Sequence, residues 1–305
     1  MASWLRNPRY VAVRDRLIVH LRRTRYHFRR LDPVVFLCGG AGSKSRDALR
    51  DYLKKFAPDL DVFYAERVWE NIATLGERDA LQMESDLAKL ADMVIIIVES
   101  AGTLTELGAF SLSQPLRKKL LPVVDEQYLN DSSFISNGPL RWIDNESDFK
   151  PTIYMSLKYI LAAADQLEER IERIPDSRSV KIPDLATSPK HLLFFICDLI
   201  AVIYPATLAM IIHYLTEISP SIVSSEINVA TLVGLAVAMD LLRKHEVTSK
   251  SGAEVYYVPA GTAGASRPFH HSRLLYLEGQ RAAHASVLLA IPEAKAVMDD
   301  MRKIV

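Results

Sequence analysis

A carboxylate set among small residues is the group in this chain best placed to do chemistry. It is Glu106, in the stretch Glu99-Ser100-Ala101-Gly102-Thr103-Leu104-Thr105-Glu106-Leu107-Gly108. The unbroken apolar, β-branched run Val94 to Val98 before it predicts a strand covered on both faces, as in parallel sheets. Gly102 permits a tight turn, and Thr105 or Thr103 is placed to cap the helix that follows. Glu106 then falls in the first helical turn, where exposed amides and the helix dipole favour a negative charge. This puts an ionised acid at the mouth of a pocket above the carboxyl end of a sheet. A first-turn glutamate is also common where no chemistry occurs, so the neighbouring segments have to decide.

Three further segments are expected to meet there. Cys38-Gly39-Gly40-Ala41-Gly42-Ser43 can bring backbone close to a ligand and hold phosphate at the next helix N-terminus. It is neither G-x-G-x-x-G nor a P-loop, and a plain flexible turn is the alternative. Tyr64, Glu66 and Trp69 offer an aromatic beside an acid, suited to a ring and a ribose hydroxyl, although Trp69 also reads as core. Ser133 to Arg141 carries Asn137, which can bond a base amide or simply form a turn. With Glu99, Ser100 and Thr103 from the acidic segment itself, these form the candidate binding set.

One ionised Glu beside an aromatic and a glycine loop suits cleavage of an N-glycosidic bond. The anomeric carbon passes through an oxocarbenium-like state that a carboxylate stabilises or captures as an ester. A positively charged nicotinamide would leave without a general acid. No metal is expected, since His270 and His271 stand without a Cys or carboxylate cluster. Cys38 has no nearby His and reads as apolar filler before it reads as a nucleophile.

The elements that must position these groups follow from pattern. Residues 33–173 alternate strand and helix signals: strands over Val34 to Cys38, Asp61 to Ala65, Val94 to Val98 and Leu120 to Asp125, helices over Lys44 to Phe56, Arg78 to Ala91 and Thr105 to Lys118, and a long closing helix over Tyr154 to Arg173. Repeated βα units predict an α/β fold, a Rossmann-like (flavodoxin-like) parallel sheet with helices on both faces. Residues 174–189 carry Pro175, Pro183 and Pro189 and read as a linker. Residues 190–305 are mainly helical, with helices over His191 to Tyr204, Ala206 to Ile218 and Ser221 to His245, a hairpin turning near Ser251-Gly252, and further helix over Ser272 to Ile304. Three helices and a hairpin make a winged-helix pattern.

Charge balances globally, with 37 Lys+Arg against 37 Asp+Glu, so net charge names no partner. It is uneven locally. Residues 1–32 form a basic helical arm, whose first 31 residues hold nine arginines against the single acid Asp15. Arg22, Arg23, Arg25, Arg29 and Arg30 of the arm, and Arg243, Lys244 and Lys250 near the hairpin, are the candidates for phosphate contacts. A solvated arm and an organellar transit peptide are the alternatives for the arm. Two cysteines are too few for a disulfide framework and point to a reducing, cytoplasmic setting. The apolar run Leu192 to Leu215 is interrupted by Asp198, Pro205 and His213, which argues against a membrane span.

Val35 to Gly40, Asp61 to Tyr64, Glu99-Ser100 with Thr105 to Ser111, and Ser133 to Ile135 with Asn137-Gly138-Pro139 together resemble the nucleoside deoxyribosyltransferase-like effectors of bacterial retrons. The resemblance spans roughly residues 33–145. It implies a toxin of anti-phage defence, held inactive by a reverse transcriptase and its RNA-linked single-stranded DNA. It implies hydrolysis of NAD, which is then substrate and not cofactor, with Glu106 matching the family's catalytic Glu. Tyr64, Glu66 and Asp92 are loose counterparts of the acidic and aromatic set around the sugar. Some relatives have Pro-Glu after the tyrosine, where this chain has Ala65-Glu66. Hydrolysis or base transfer on a deoxynucleoside or nucleotide would need the same carboxylate. A nucleic-acid-binding regulator without catalysis is the remaining alternative. Assembly with further copies of the chain is open.

Overall fold

Short apolar runs separated by helical sequence build the sheet that carries the acidic segment. The computed structural model describes residues 3–23, 33–57, 60–64, 88, 90–175, 182–224, 228–249, 252–260 and 277–302. The chain divides into two compact units. One is Asp32–Asp176; the other joins Met1–Leu31 to Ser177–Val305, so helix α1 (Pro8–Arg23) belongs with the carboxyl-terminal half.

The first unit holds β1 (Val34–Cys38), α2 (Lys44–Phe56), β2 (Asp61–Phe63), β3 (Met93–Val98), α3 (Ala101–Leu112), α4 (Gln114–Arg117), β4 (Leu120–Asp125), α5 (Arg141–Glu146), β5 (Ile153–Met155) and α6 (Ala164–Ile171). Among the described residues every strand pairing of this unit is parallel, and the order is β2-β1-β3-β4-β5. Alternation along each strand sends its side chains to opposite faces. Val35, Leu37, Ile95, Ile97, Leu121 and Val123 pack with Leu49 and Leu53 of α2 and with Leu167 of α6. On the other face Phe36 stacks on Phe63 at 4.9 Å and meets Phe110 of α3 at 6.4 Å.

Two expectations need correction here. The closing helix over Tyr154 to Arg173 is instead the fifth strand, a 3-10 segment over Leu157–Ala163, and α6. The helix after β3 starts at Ala101, not Thr105, and stops at Leu112; Pro115 then sits in the first turn of the separate α4, a position proline favours. The helix over Arg78 to Ala91 lies mostly outside the described residues.

The second unit continues with α7 (Pro189–Ile203), α8 (Leu208–Ile218), α9 (Pro220–Ser224), α10 (Val229–Ala238), the antiparallel hairpin β6 (Leu242–Ser249) and β7 (Gly252–Pro259), α11 (Leu277–Leu289) and α12 (Pro292–Arg302). The predicted single helix over Ser221 to His245 does not form. Asn228 caps α10 through the Thr231 amide, and the chain turns at Asp240 with φ 59°. Strand β6 then takes Arg243, Lys244 and His245. Among the described residues no helix is long and apolar enough to cross a membrane; the run from Leu192 is divided between α7 and α8.

α1 buries Tyr10, Leu17, Ile18 and Leu21 within this unit. The Tyr10 and Tyr214 hydroxyls lie 3.1 Å apart, and Trp4 stacks on Tyr256 at 5.7 Å. Burial pushes the Tyr10 phenol up to about 12.

Candidate active site

The site is built from the turns that leave the carboxyl ends of β1, β3 and β4. After β3 the backbone enters α3 through a capping box. The Ser100 hydroxyl accepts from the Thr103 amide at 3.2 Å, and the Thr103 hydroxyl accepts from the Ser100 amide at 3.0 Å. The Thr103 hydroxyl also accepts from the Glu99 amide at 3.1 Å. Thr103 is buried and serves the cap, so its hydroxyl is committed to backbone, contrary to the expected ligand contact.

After β1, Gly42 takes φ 69°, and Ser43 caps α2 by accepting from the Arg46 amide. Gly39 is needed for a different reason. A Cβ there would meet the Arg46 side chain at 2.9 Å, where the guanidinium bonds the Gly39 carbonyl. At Gly40 a Cβ would find only ordinary contacts, the nearest at 3.5 Å. The Gly40 amide donates to the Glu99 carboxylate at 2.9 Å. That carboxylate therefore sits on the amide expected to receive phosphate, and it ties the first loop to the third across the β1–β3 junction.

Glu106 is in the second turn of α3, half-buried, with its Oε2 shielded from solvent. At about 100° per residue it lies on the side of α3 away from Ala101 and Leu104 and near Phe110. Phe110 packs on Phe36 of β1, so Glu106 faces the β1 flank of the helix.

The opposite flank of α3 borders a cleft of about 550 Å³ at the carboxyl ends of β3 and β4. Its described lining includes Glu99, Ser100, Leu104, Asp125, Tyr128 and Asp131, and it includes neither Glu106 nor Gly39, Gly40, Cys38, Tyr64 or Asn137. Sequence reading missed Asp125, Tyr128 and Asp131. Asp125 had a usable signal, because it ends a predicted parallel strand, where ligands collect.

Other candidates fall elsewhere. Tyr64 is 5% exposed and packs in the α2-side core. The Arg46 and Arg50 guanidinium groups lie 4.4 and 5.4 Å from its ring centre, and burial pushes its phenol up to about 12. Its ring is thus occupied by the protein's own cations. Cys38 is buried in the sheet. The Asn137 side-chain amide donates to Ser132 and to the Ser133 carbonyl, back into its own loop. Asp92 accepts from the Val34 amide at 2.8 Å. It therefore lies at the amino ends of the strands, roughly 20 Å along β3 from the site. Glu66 and Trp69 are outside the described residues.

Among the basic candidates, Arg22 bonds Glu217 of α8 through its carbonyl and carboxylate. Arg23, Arg243 and Lys244 are exposed. Arg25, Arg29, Arg30, Lys250, His270 and His271 lie outside the described residues. Among the described residues no group of three or more His, Cys, Asp and Glu is placed to hold a metal ion.

The sequence pattern of the family described as STM3845 retron effector protein matches residues 42–244. The chain belongs to this retron effector family. An Escherichia coli relative, "Retron Ec73 putative ribosyltransferase/DNA-binding protein", is 31% identical over 235 residues, which cover 68% of this chain and 73% of the relative. A second from Escherichia coli, "Retron Ec86 putative ribosyltransferase/DNA-binding protein", is 39% identical over 132 residues, 42% of this chain and 43% of the relative. This effector's matched region takes in the glycine turn from Gly42, the acidic segment and the first half of the helical unit.

Proposed function

We propose that this retron effector breaks an N-glycosidic bond, with NAD as substrate and nicotinamide as leaving group. The observation that carries the reading is the position of Glu106. It lies on the flank of α3 that faces β1, where the strand order reverses between β1 and β3 and ligands of such sheets gather. The relatives named as ribosyltransferases support chemistry at an anomeric carbon. Glu106 would stabilise the oxocarbenium-like state or capture it as an ester. We read the first unit as nucleoside deoxyribosyltransferase-like and flavodoxin-like in strand order. Since the Gly40 amide is taken by Glu99, the pyrophosphate would rest on the first amides of α2.

The test is direct. Purified protein incubated with NAD should release free nicotinamide, and Glu106→Gln should abolish the release. Equal release by the variant would reject Glu106; altered deoxynucleotide pools with intact NAD would move the substrate to deoxynucleosides or nucleotides.

The same proposal places the effector in the cytoplasm beside a reverse transcriptase and RNA-linked single-stranded DNA that keep it inactive. The second unit, read as winged-helix-like, would contact the nucleic acid. Exposed Arg9, Arg16 and Arg23 recur every seven residues along α1, a stripe suited to a phosphate backbone, and Arg243 and Lys244 are exposed on β6. The relatives' "DNA-binding" names favour this contact. Charge reversal of the stripe should weaken binding to single-stranded DNA and flatten its salt dependence.

A further inference from the structure

The cleft between the ends of β3 and β4 is a built site that the proposed Glu106 chemistry does not use. Its volume of about 550 Å³ falls in the range of small-molecule pockets. Val98, Val124, Leu104, Leu140 and Leu157 form apolar walls, and the Ser133 and Ser136 hydroxyls at the lining bond each other and the backbone of their own loop. Half-exposed Tyr128 stands at the lining. The charged residues among those lining it are Glu99, Asp125 and Asp131, with no Lys or Arg among them. Among the described residues no group of three or more His, Cys, Asp and Glu is placed to hold a metal ion, and these carboxylates share the lining with apolar side chains.

We infer that this cleft binds a small organic cation with a flat apolar body, and that it rejects phosphate and other anions. Apolar walls take the body, the Tyr128 face attracts a cationic ring or amine, and the carboxylates set the sign of the charge. An anion of equal size would meet like charge, with no described cationic side chain in the lining to offset it. The site lies on the other flank of α3 from Glu106 and holds whether or not NAD is cleaved.

Three probes on one pyridine frame vary the charge: 1-methylnicotinamide (cation), nicotinamide (neutral) and nicotinate (anion). Each is titrated by calorimetry onto the full chain. The expected order is cation, then neutral, then anion, with roughly tenfold or more between the extremes at low salt and less at high salt. The double variant Asp125→Asn, Asp131→Asn should compress the order to within about twofold. Asparagine retains the turn in which Asp125 accepts from the Gln127 amide, so folding is preserved. Leu104→Trp, which fills the cleft, should abolish binding of the cation. A flat or reversed order, no binding by any probe, or a preference that survives the double variant would overturn the assignment.

Discussion

The two flanks of α3 carry different burdens. The β1 flank holds Glu106 beside Phe110, which is buried against Phe36. The β4 flank presents Ala101 and Leu104 to an open cleft edged by Glu99, Asp125 and Asp131. The acid singled out by sequence pattern thus stands on a packed surface, while the visible cavity is lined by Glu99, which the pattern also marked, and by Asp125 and Asp131, which it did not. Packing can fix a reacting group in one orientation, and open space admits a ligand; here one helix separates the two. Glu99 touches both regions, by lining the cleft and by accepting from Gly40 of the β1 loop.

The sharpest way to break this contrast is kinetic. Glu106→Gln should lower nicotinamide release by at least about 100-fold, whereas Asp125→Asn should change it by less than about tenfold. Measured kcat/KM for both variants decides, and a larger loss from Asp125→Asn would move the reacting site to the β4 flank. Stability supplies the second comparison. Phe110→Ala should cost about 3–5 kcal/mol, while Leu104→Ala, at 39% exposure, should cost less than about 1 kcal/mol. Urea denaturation of both variants gives the values.

The glycine turn gives a third, smaller contrast. Gly39→Ala should cost about 1–3 kcal/mol, since Arg46 must shift away from the new methyl. Gly40→Ala should stay within about 0.5 kcal/mol. Equal effects would restore a symmetric phosphate cradle. The smallest effect is at Tyr64. Its phenol, held up to about 12 by burial, keeps a proton in the fold that the unfolded chain releases near pH 10. Its stabilising contribution is therefore whole below pH 10 and is lost as pH rises through about 12. Tyr64→Phe should flatten that alkaline decline in the denaturation midpoint and leave kcat/KM within about twofold.

Much of the α/β unit was legible. The predicted β1 and α2 match the structure end to end, and β4 likewise, because each is a run of one period bounded by a glycine, a cap or a charge. β5 was missed because Ile153-Tyr154-Met155 is too short to show alternation and adjoins helical sequence. The start of α3 was set four residues late, because Ser100 and Thr103 cap it jointly, and each alone is an unremarkable polar residue. The third predicted helix of the other unit failed where Asn228 starts α10 and Asp240 ends the turn after it. Beyond that point, charged Arg243 and Lys244 occupy a strand whose exposed positions tolerate them.

Local backbone preference and hydrophobic period are written in neighbouring residues, so the sequence by itself determined the parallel βα alternation, the apolar strands and the likeness to retron effectors. Which side chains meet is set by packing between distant segments. Only the tertiary structure decided that Glu99 reaches Gly40 across 59 positions, that Tyr64 turns to the arginines of α2, and that Glu106 and the cleft lie on opposite sides of one helix. Those outcomes depend on strand order and on the face each residue takes in the sheet, and both follow from burying the whole apolar surface at once.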